Sequence, residues 1–438
     1  MALNSLARWH RWLIAIALTL TSWAAMPLLV WAQLSPVLIE EFLSDPEQTE
    51  PRDPLLPELP VSRPLSPLEQ VALEVELDEL AIEAESLYLA GQEADAFALW
   101  MRELRLRRIL GYEKELAAVQ RIGLRMWENS RADEVQLITL RLRQIQADLF
   151  SQAQPDQALL EALVAGFETL RDVDAAVAVY ETLIERAMQA SDRDEQQRLL
   201  ERLASLRESW FRFEVAGQTY AALLALLEGN DELQEIEYLK GAIRNYEDAA
   251  QLRQAIDYQR QLLRKYEQVV QPQPIPSLTL AIARNFRELG SLPQAQTFYS
   301  TTYSVALAQG QTDVASEALR DLADIYLAEG QSEDVLYLYQ QRLAVERLSY
   351  NGYGMMQTFD QIGQFFESQD LPDNAIAAYQ EALIIAEQLN YRDGYFKLRL
   401  QQLLYEQGRL NVPLLEAHLA NPVGPLQDPD AWQGNIQP

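Results

Sequence analysis

The 438-residue chain contains no cysteine. Disulfides, thiolate nucleophiles and cysteine-based metal sites are thereby excluded. Histidine is almost as rare: His10 lies in the N-terminal segment and His418 near the end of the chain. A Ser-His-Asp site would have to be built on His418, and no G-x-S-x-G turn supplies its nucleophile. His418 reads as a surface or capping residue. No phosphate loop, dinucleotide fingerprint or HExxH occurs. Asp192-Arg193-Asp194-Glu195 lacks the alternating ligands and glycine of a calcium loop. Lysine is confined to Lys114, Lys240, Lys265 and Lys397, the other basic residues being arginine. The net charge of −29 leaves no general basic face, which argues against a nucleic-acid partner. The expectation is a protein that is not an enzyme and has no cofactor or metal.

What is present is a repeat. The segment Ala323 to Arg342 carries a small residue at Ala323, an aromatic three residues on (Tyr326), Gly330 at seven, Val335 at twelve and Tyr339 at sixteen. The same offsets recur forty residues upstream (Ala283, Phe286, Gly290, Ala295, Tyr299) and downstream (Gly363, Phe366, Asp370, Ala375, Tyr379). With one slip of a residue the first column extends back through Ile243, Ala204, Val164 and Leu124 to Ala84. The sixteenth-offset column then reads Trp100, Leu140, Tyr180, Tyr220, Gln259, Tyr299, Tyr339 and Tyr379. Six of these eight are aromatic in a chain that is 9% aromatic. A fixed period of this length marks a stacked-repeat architecture. Offsets 0 and +3 fall on one stripe of a first helix, and +12 and +16 on one stripe of a second. Around +7 a glycine or polar residue reverses the chain. One hairpin cannot bury such a surface alone, so stacking is required.

These columns resemble the tetratricopeptide repeat, in a 40-residue long-helix version. The resemblance is carried best by LADIYLAEGQSEDVLYLYQQRL (322–343) and FFESQDLPDNAIAAYQEALIIAEQL (365–389), and spans about residues 67–390. It implies an all-α, right-handed helical-hairpin solenoid of about eight repeats, at least seven of them in full. The copy built on Leu124 departs most, with Gln136 and Leu140 in the alanine and aromatic columns.

Residues 1–32 read as an export signal: Arg8 and Arg11 precede LIAIALTL, Pro27 breaks the helix, and Val30-Trp31-Ala32 offers small residues for cleavage. The alternative is an uncleaved anchor, since Trp12 to Val30 carries no charge. Either way the repeats face a non-cytoplasmic compartment, such as a periplasm or thylakoid lumen. Residues 33–65 hold seven prolines, and the acids Glu40, Glu41, Asp45, Glu47, Glu50, Asp53 and Glu58 among them face only Arg52 up to residue 60. This composition predicts an extended or disordered linker. Ser66-Pro67-Leu68-Glu69 opens the repeats at 66–390 as a capping box with proline in the first turn. The prolines of Gln271-Pro-Gln-Pro-Ile-Pro276 predict a stiff, extended inter-repeat loop. Capping helices are expected over 391–420, including Leu414 to Leu419, and a loose tail over 421–438.

Two charge patterns bear on binding. Residues 101–145 hold ten basic and six acidic side chains. They read either as a patch for an anionic ligand or, preferably, as partners of the acidic helix before it. In proteins of the resembled family the first helix of each pair lines the concave face, and ligands are usually peptides. Offsets −3, +1 and +4 would then bring Lys240, Arg244, Arg284, Arg287 and Arg320 onto one stripe, with Arg121 and Arg125 as an echo and Asn245 and Asn285 at matching places. Converging guanidinium groups suit carboxylates. The same cations stand near Glu237, Glu247, Asp248, Glu288 and Asp324, so intramolecular pairing explains them equally. The expected partner is a protein or peptide, acidic in character, with the chain's own residues 33–60 as an internal competitor. Membrane contact would come only through an uncleaved N-terminal segment. Binding by a scaffold, sensing of a short peptide that changes the superhelical pitch, and service as an accessory subunit are the three candidate roles.

Overall fold

A computed structural model describes residues 34–49, 51–57, 63–227 and 231–409. These residues form eighteen α-helices, one short 3₁₀ turn and no strand. Helix α1 (Pro36–Leu43) precedes eight hairpins. They are α2 (Pro67–Leu89) with α3 (Glu93–Arg107), α4 (Tyr112–Glu128) with α5 (Ala132–Ser151), α6 (Gln157–Thr169) with α7 (Val173–Gln189), and α8 (Arg193–Ser209) with α9 (Phe213–Leu226). Then come α10 (Glu232–Asp248) with α11 (Leu252–Gln268), α12 (Ile275–Glu288) with α13 (Leu292–Ala308), α14 (Thr312–Ala328) with α15 (Ser332–Leu348), and α16 (Gly352–Ser368) with α17 (Pro372–Leu389). Helix α18 (Asp393–Glu406) packs on α17. The chain forms the all-α repeat solenoid that its period requires. It divides into two compact units, residues 1–199 and 200–438, within α8. The export segment, Leu414 to Leu419 and the tail lie outside the described residues.

The hairpins close because a small residue faces a large one. Ala84, Ala204, Ala283 and Ala323 are fully buried in the first column, and Ala96, Ala176, Ala216, Ala255, Ala295 and Ala375 in the twelfth. Trp100, Tyr180, Tyr299, Tyr339 and Tyr379 fill the space between them. At Gly363 the fit leaves no room even for a methyl group: a Cβ there would lie 2.6 Å from the Tyr379 ring.

The second hairpin breaks the register. Leu124 is 50% exposed, and the adjacent Gly123 takes the buried place, so close to Leu170 that a Cβ would meet its side chain at 2.9 Å. Gln136 and Leu140 are correspondingly only half-buried, while Ile138 and Leu142 fill the core. Without an alanine and an aromatic in these columns, aliphatic packing sets the pairing of the two helices.

Chain reversal at offset +7 uses the left-handed backbone region throughout the regular copies. Gly91, Arg171, Phe211, Ala250, Gly290, Gly330 and Asp370 have φ between 54° and 80°. At Gly330 the following N–H, of Gln331, donates to Tyr326 O at 3.0 Å, which satisfies a carbonyl that the helix end would leave open. The reversal therefore survives apolar residues such as Phe211 and Ala250, because hydrogen bonding and packing impose it. The proline segment is shorter than its composition implies. Pro276 lies in the first turn of α12, where its missing N–H costs nothing.

The described part of residues 33–65 is folded, contrary to the linker expectation. Pro36 starts α1, and Leu34, Phe42, Leu56 and Leu65 are buried. Leu56 and Leu65 pack with Leu73, Leu77 and Leu80 of α2. Arg102 of α3 grips Asp53 with two hydrogen bonds of 2.7 and 2.6 Å, Arg105 donates to Thr49 Oγ1 at 3.2 Å, and Arg108 donates to Phe42 O while lying 4.4 Å from that ring's centre. Composition counted the prolines and acids but gave no weight to a few apolar anchors and three arginines waiting for them.

Two outcomes follow. Replacing Tyr339 by Ala should cost about 3–5 kcal/mol in a denaturant melt, as for other buried aromatic truncations; a loss under about 1 kcal/mol would contradict the packing. The hydrogen bonds from Arg102 hold Asp53 below the usual carboxylate range. Its contribution to docking of the leader is thus complete above about pH 4 and lost as pH falls through the depressed value. The protection factors of the α1 amides, after correction for the intrinsic slowing of exchange in acid, should fall at lower pH in the wild type. Arg102→Ala should show those reduced protection factors already at neutral pH.

Candidate functional site

The face carried by the first helices is organised by offset +4, which holds Glu168, Glu208, Glu247, Arg287, Leu327 and Glu367 from hairpins three to eight. Where a glutamate stands there, it is the acceptor for the side chain at +16 of its own hairpin. The Tyr180 hydroxyl donates to Glu168 at 2.9 Å, Gln259 Nε2 donates to Glu247 at 2.8 Å, and the Tyr379 hydroxyl donates to Glu367. Tyr220 stands against Glu208 in the same way. The glutamate then accepts from the next first helix. Arg244 and Asn245 donate to Glu208, Asn285 donates to Glu247 at 2.9 Å, and Arg399 donates to Glu367. Asn245 and Asn285, alike in position, thus do the same job. This relay links hairpin to hairpin in hydrogen bonds as the aromatics link them in volume.

Four of the five cations proposed for the stripe are consumed by pairing. Lys240 pairs with Glu237 at 2.8 Å and Arg244 with Glu208 at 2.8 Å. Arg284 reaches Glu317 at 2.6 Å and Asp321 at 2.8 Å, and Arg320 holds the other oxygen of Asp321 at 2.9 Å. Most partners lie on the neighbouring first helix, which intra-helix spacing could not reveal. Beside them a cavity of about 460 Å³ opens among Glu247, Leu280, Arg284, Asn285, Val314 and Glu317.

Arg287 is the exception. It is exposed and, among the described residues, its side chain makes no ion pair or hydrogen bond. It occupies the place where the relay needs a glutamate, and the consequence lies beneath it. The Tyr299 hydroxyl is buried without a hydrogen-bond partner. Burial chiefly, with Asp321 next, pushes this phenol up to about 12, against the opposing influence of Arg287 and Arg284. Hairpin seven has Leu327 at the same offset, so the relay is interrupted twice in succession. Asp324, on the first helix of hairpin seven, is raised by burial and by Asp321, with Arg287 and Arg320 acting the other way.

The secondary pair is likewise occupied. Arg121 donates to the buried Glu103 at 2.5 Å, and Arg125 pairs with Glu85 at 2.9 Å while lying 5.1 Å from the centre of the Tyr88 ring. The wider basic segment 101–145 divides its attention. Lys114, Arg107 and Arg125 pair with Glu74, Asp78 and Glu85 of the acidic α2, whereas Arg102, Arg105 and Arg108 hold the leader. The leader's Asp53 is thus engaged on α3 and is not the occupant of the first-helix stripe. Among the described residues no group of three His, Asp or Glu side chains is placed to hold a metal ion, and no helix is long and apolar enough to cross a membrane.

The orphan phenol can be tested by stability. Tyr299→Phe removes a buried hydroxyl that has no partner and should leave stability unchanged or raise it by about 1 kcal/mol. Tyr379→Phe removes a donor from Glu367 and should cost about 1 kcal/mol or more. Matched thermal and urea melts check the pair; equal losses would place an acceptor on Tyr299.

No protein-family model matches the chain, and no curated protein does. Solved structures with similarity to it include BtubC from P. vanneervenii, at 16% identity and a TM-score of 0.34 over 50% of this chain and 92% of that one. Aspartyl phosphate phosphatase F from Bacillus subtilis aligns at 16% identity and a TM-score of 0.36, over 69% of this chain and 82% of that one. The apo form of the quorum sensor NprR from B. thuringiensis aligns at 14% identity and a TM-score of 0.32, over 70% and 86% respectively.

Proposed function

We propose that the chain is a non-catalytic interaction scaffold whose first-helix face binds a carboxylate-bearing segment of another protein at hairpins six and seven. The observation that supports this reading is the exchange of glutamate for Arg287 in the relay, which leaves one exposed guanidinium above one buried phenol lacking an acceptor. A partner carboxylate would stand where Glu168, Glu208 and Glu367 stand in their own hairpins, paired with Arg287 in a charge-assisted bond. The net charge of −29 repels an acidic segment over most of the remaining surface, which favours encounter at this position. Export to a periplasm or thylakoid lumen, read from residues 1–32, completes the proposal.

Arg287→Glu provides a test with two opposed effects. It restores the relay glutamate, so the melting temperature should hold or rise, and it removes the cation, so affinity for a labelled acidic peptide should fall at least tenfold. Wild-type binding should also weaken with added salt, since exposed charges are screened beyond about 8–10 Å. Equal affinities of wild type and variant would remove Arg287 from any binding role.

A further inference from the structure

Helix α2 is apolar on two opposite sides. Leu73, Leu77, Leu80 and Ala84 are buried against the rest of the first unit. At 100° per residue, Leu68, Val71, Val75, Ile82 and Leu89 fall on the other side of the same helix. These five are between 53% and 84% exposed. No other first helix among the described residues carries more than two exposed large apolar side chains. The described leader residues are engaged elsewhere: their anchors lie against the inner leucines of α2, Arg102 and Arg105 of α3, and Arg108 of the 3₁₀ turn that follows it.

The spacing and the surroundings of the stripe define what fits it. Leu68, Val75, Ile82 and Leu89 follow one another at intervals of seven, with Val71 between the first two. A seven-residue seam of this kind stays in contact with a second helix that winds around it, and 21 residues give it a length of about 32 Å. Acids border it on both sides. Glu74, Asp78 and Glu85 are already paired with Lys114, Arg107 and Arg125. On the opposite border Glu76, Glu79 and Glu83 are exposed and, among the described residues, have no ion pair. A second copy of α2 would bring like charges together, and an anionic lipid surface would be repelled in the same way.

We infer that the outer stripe of α2 is a docking surface for an amphipathic helix of a partner protein, about six turns long, whose apolar seam is flanked by lysine or arginine. The partner's aliphatic side chains cover Leu68, Val75, Ile82 and Leu89, and its cations meet Glu76, Glu79 and Glu83. The surface lies in the first unit and is independent of the carboxylate site on hairpins six and seven.

The probe is a synthetic 21-residue helical peptide with leucines at the same spacing and lysine flanks, compared with its glutamate-flanked counterpart. Titrated against the full chain, the lysine peptide should bind and the glutamate peptide should not. Val75→Glu with Ile82→Glu, at positions already exposed, should retain the wild-type circular dichroism and melt yet bind the lysine peptide at least tenfold more weakly. Equal binding to wild type and variant, or equal binding of the two peptides, overturns the inference. Because the chain lacks cysteine, Ile82→Cys carrying a photo-cross-linker reports the occupant directly. An adduct with the lysine peptide supports the partner helix. An adduct formed instead with another copy, with residues 1–33 of the same chain or with added phosphatidylglycerol vesicles overturns it.

Discussion

The close approach of paired helices, a small residue on the first against an aromatic ring on the second, is the constraint on which the rest of the structure depends. Alanine or glycine in the first column lets the backbone of one helix meet the ring at offset +16 directly, as at Gly363 and Tyr379. The rings are too large to be covered within one hairpin, so each calls for a neighbour, and the array is the shortest way to satisfy all of them. Where the columns lapse, as at Leu124 and Leu140, the hairpin still closes on aliphatic packing but shifts by a residue. Volume therefore has a strong preference here rather than a veto.

That packing creates a polar problem which the chain solves in a regular way. A tyrosine driven to the helix–helix interface brings its hydroxyl with it, and a buried hydroxyl needs an acceptor. The glutamate at offset +4 supplies one, and its own charge is then met by arginine or asparagine from the next first helix. The row of cations on the first helices is thus largely internal wiring. The informative place is where the wiring stops, at Arg287 and Leu327, because there the same packing remains without its compensating charge.

The acidic character of the chain is handled unevenly along its length. In the first unit the acids of α2 are matched on one border by cations from α3 and α4, while the other border is left to solvent. The three arginines on the far side of the hairpin secure the leader. Charge and apolar exposure coincide on α2 in a way that, among the described residues, no interior first helix repeats, since an interior helix has neighbours on both sides.

Period and composition alone determined the helical hairpins, their number and their principal core. The reason is that a forty-residue recurrence of alanine and aromatic columns is local chemistry repeated, and it leaves one economical way to bury the rings. The capping box at Ser66 and Glu69 was legible for the same reason, being four consecutive residues. The site was legible only as a set of cations. Which of them are free depends on acids such as Glu208, Asp321 and Glu103, which are distant in sequence and are delivered by neighbouring helices. The fold of residues 34–49 and 51–57 was hidden too, since a proline-rich acidic segment folds here because Phe42, Leu56 and Asp53 find partners on α2, on α3 and at Arg108 just after it. Tertiary structure alone decided these points, because pairing across helices is a matter of distance in space and not of spacing along the chain.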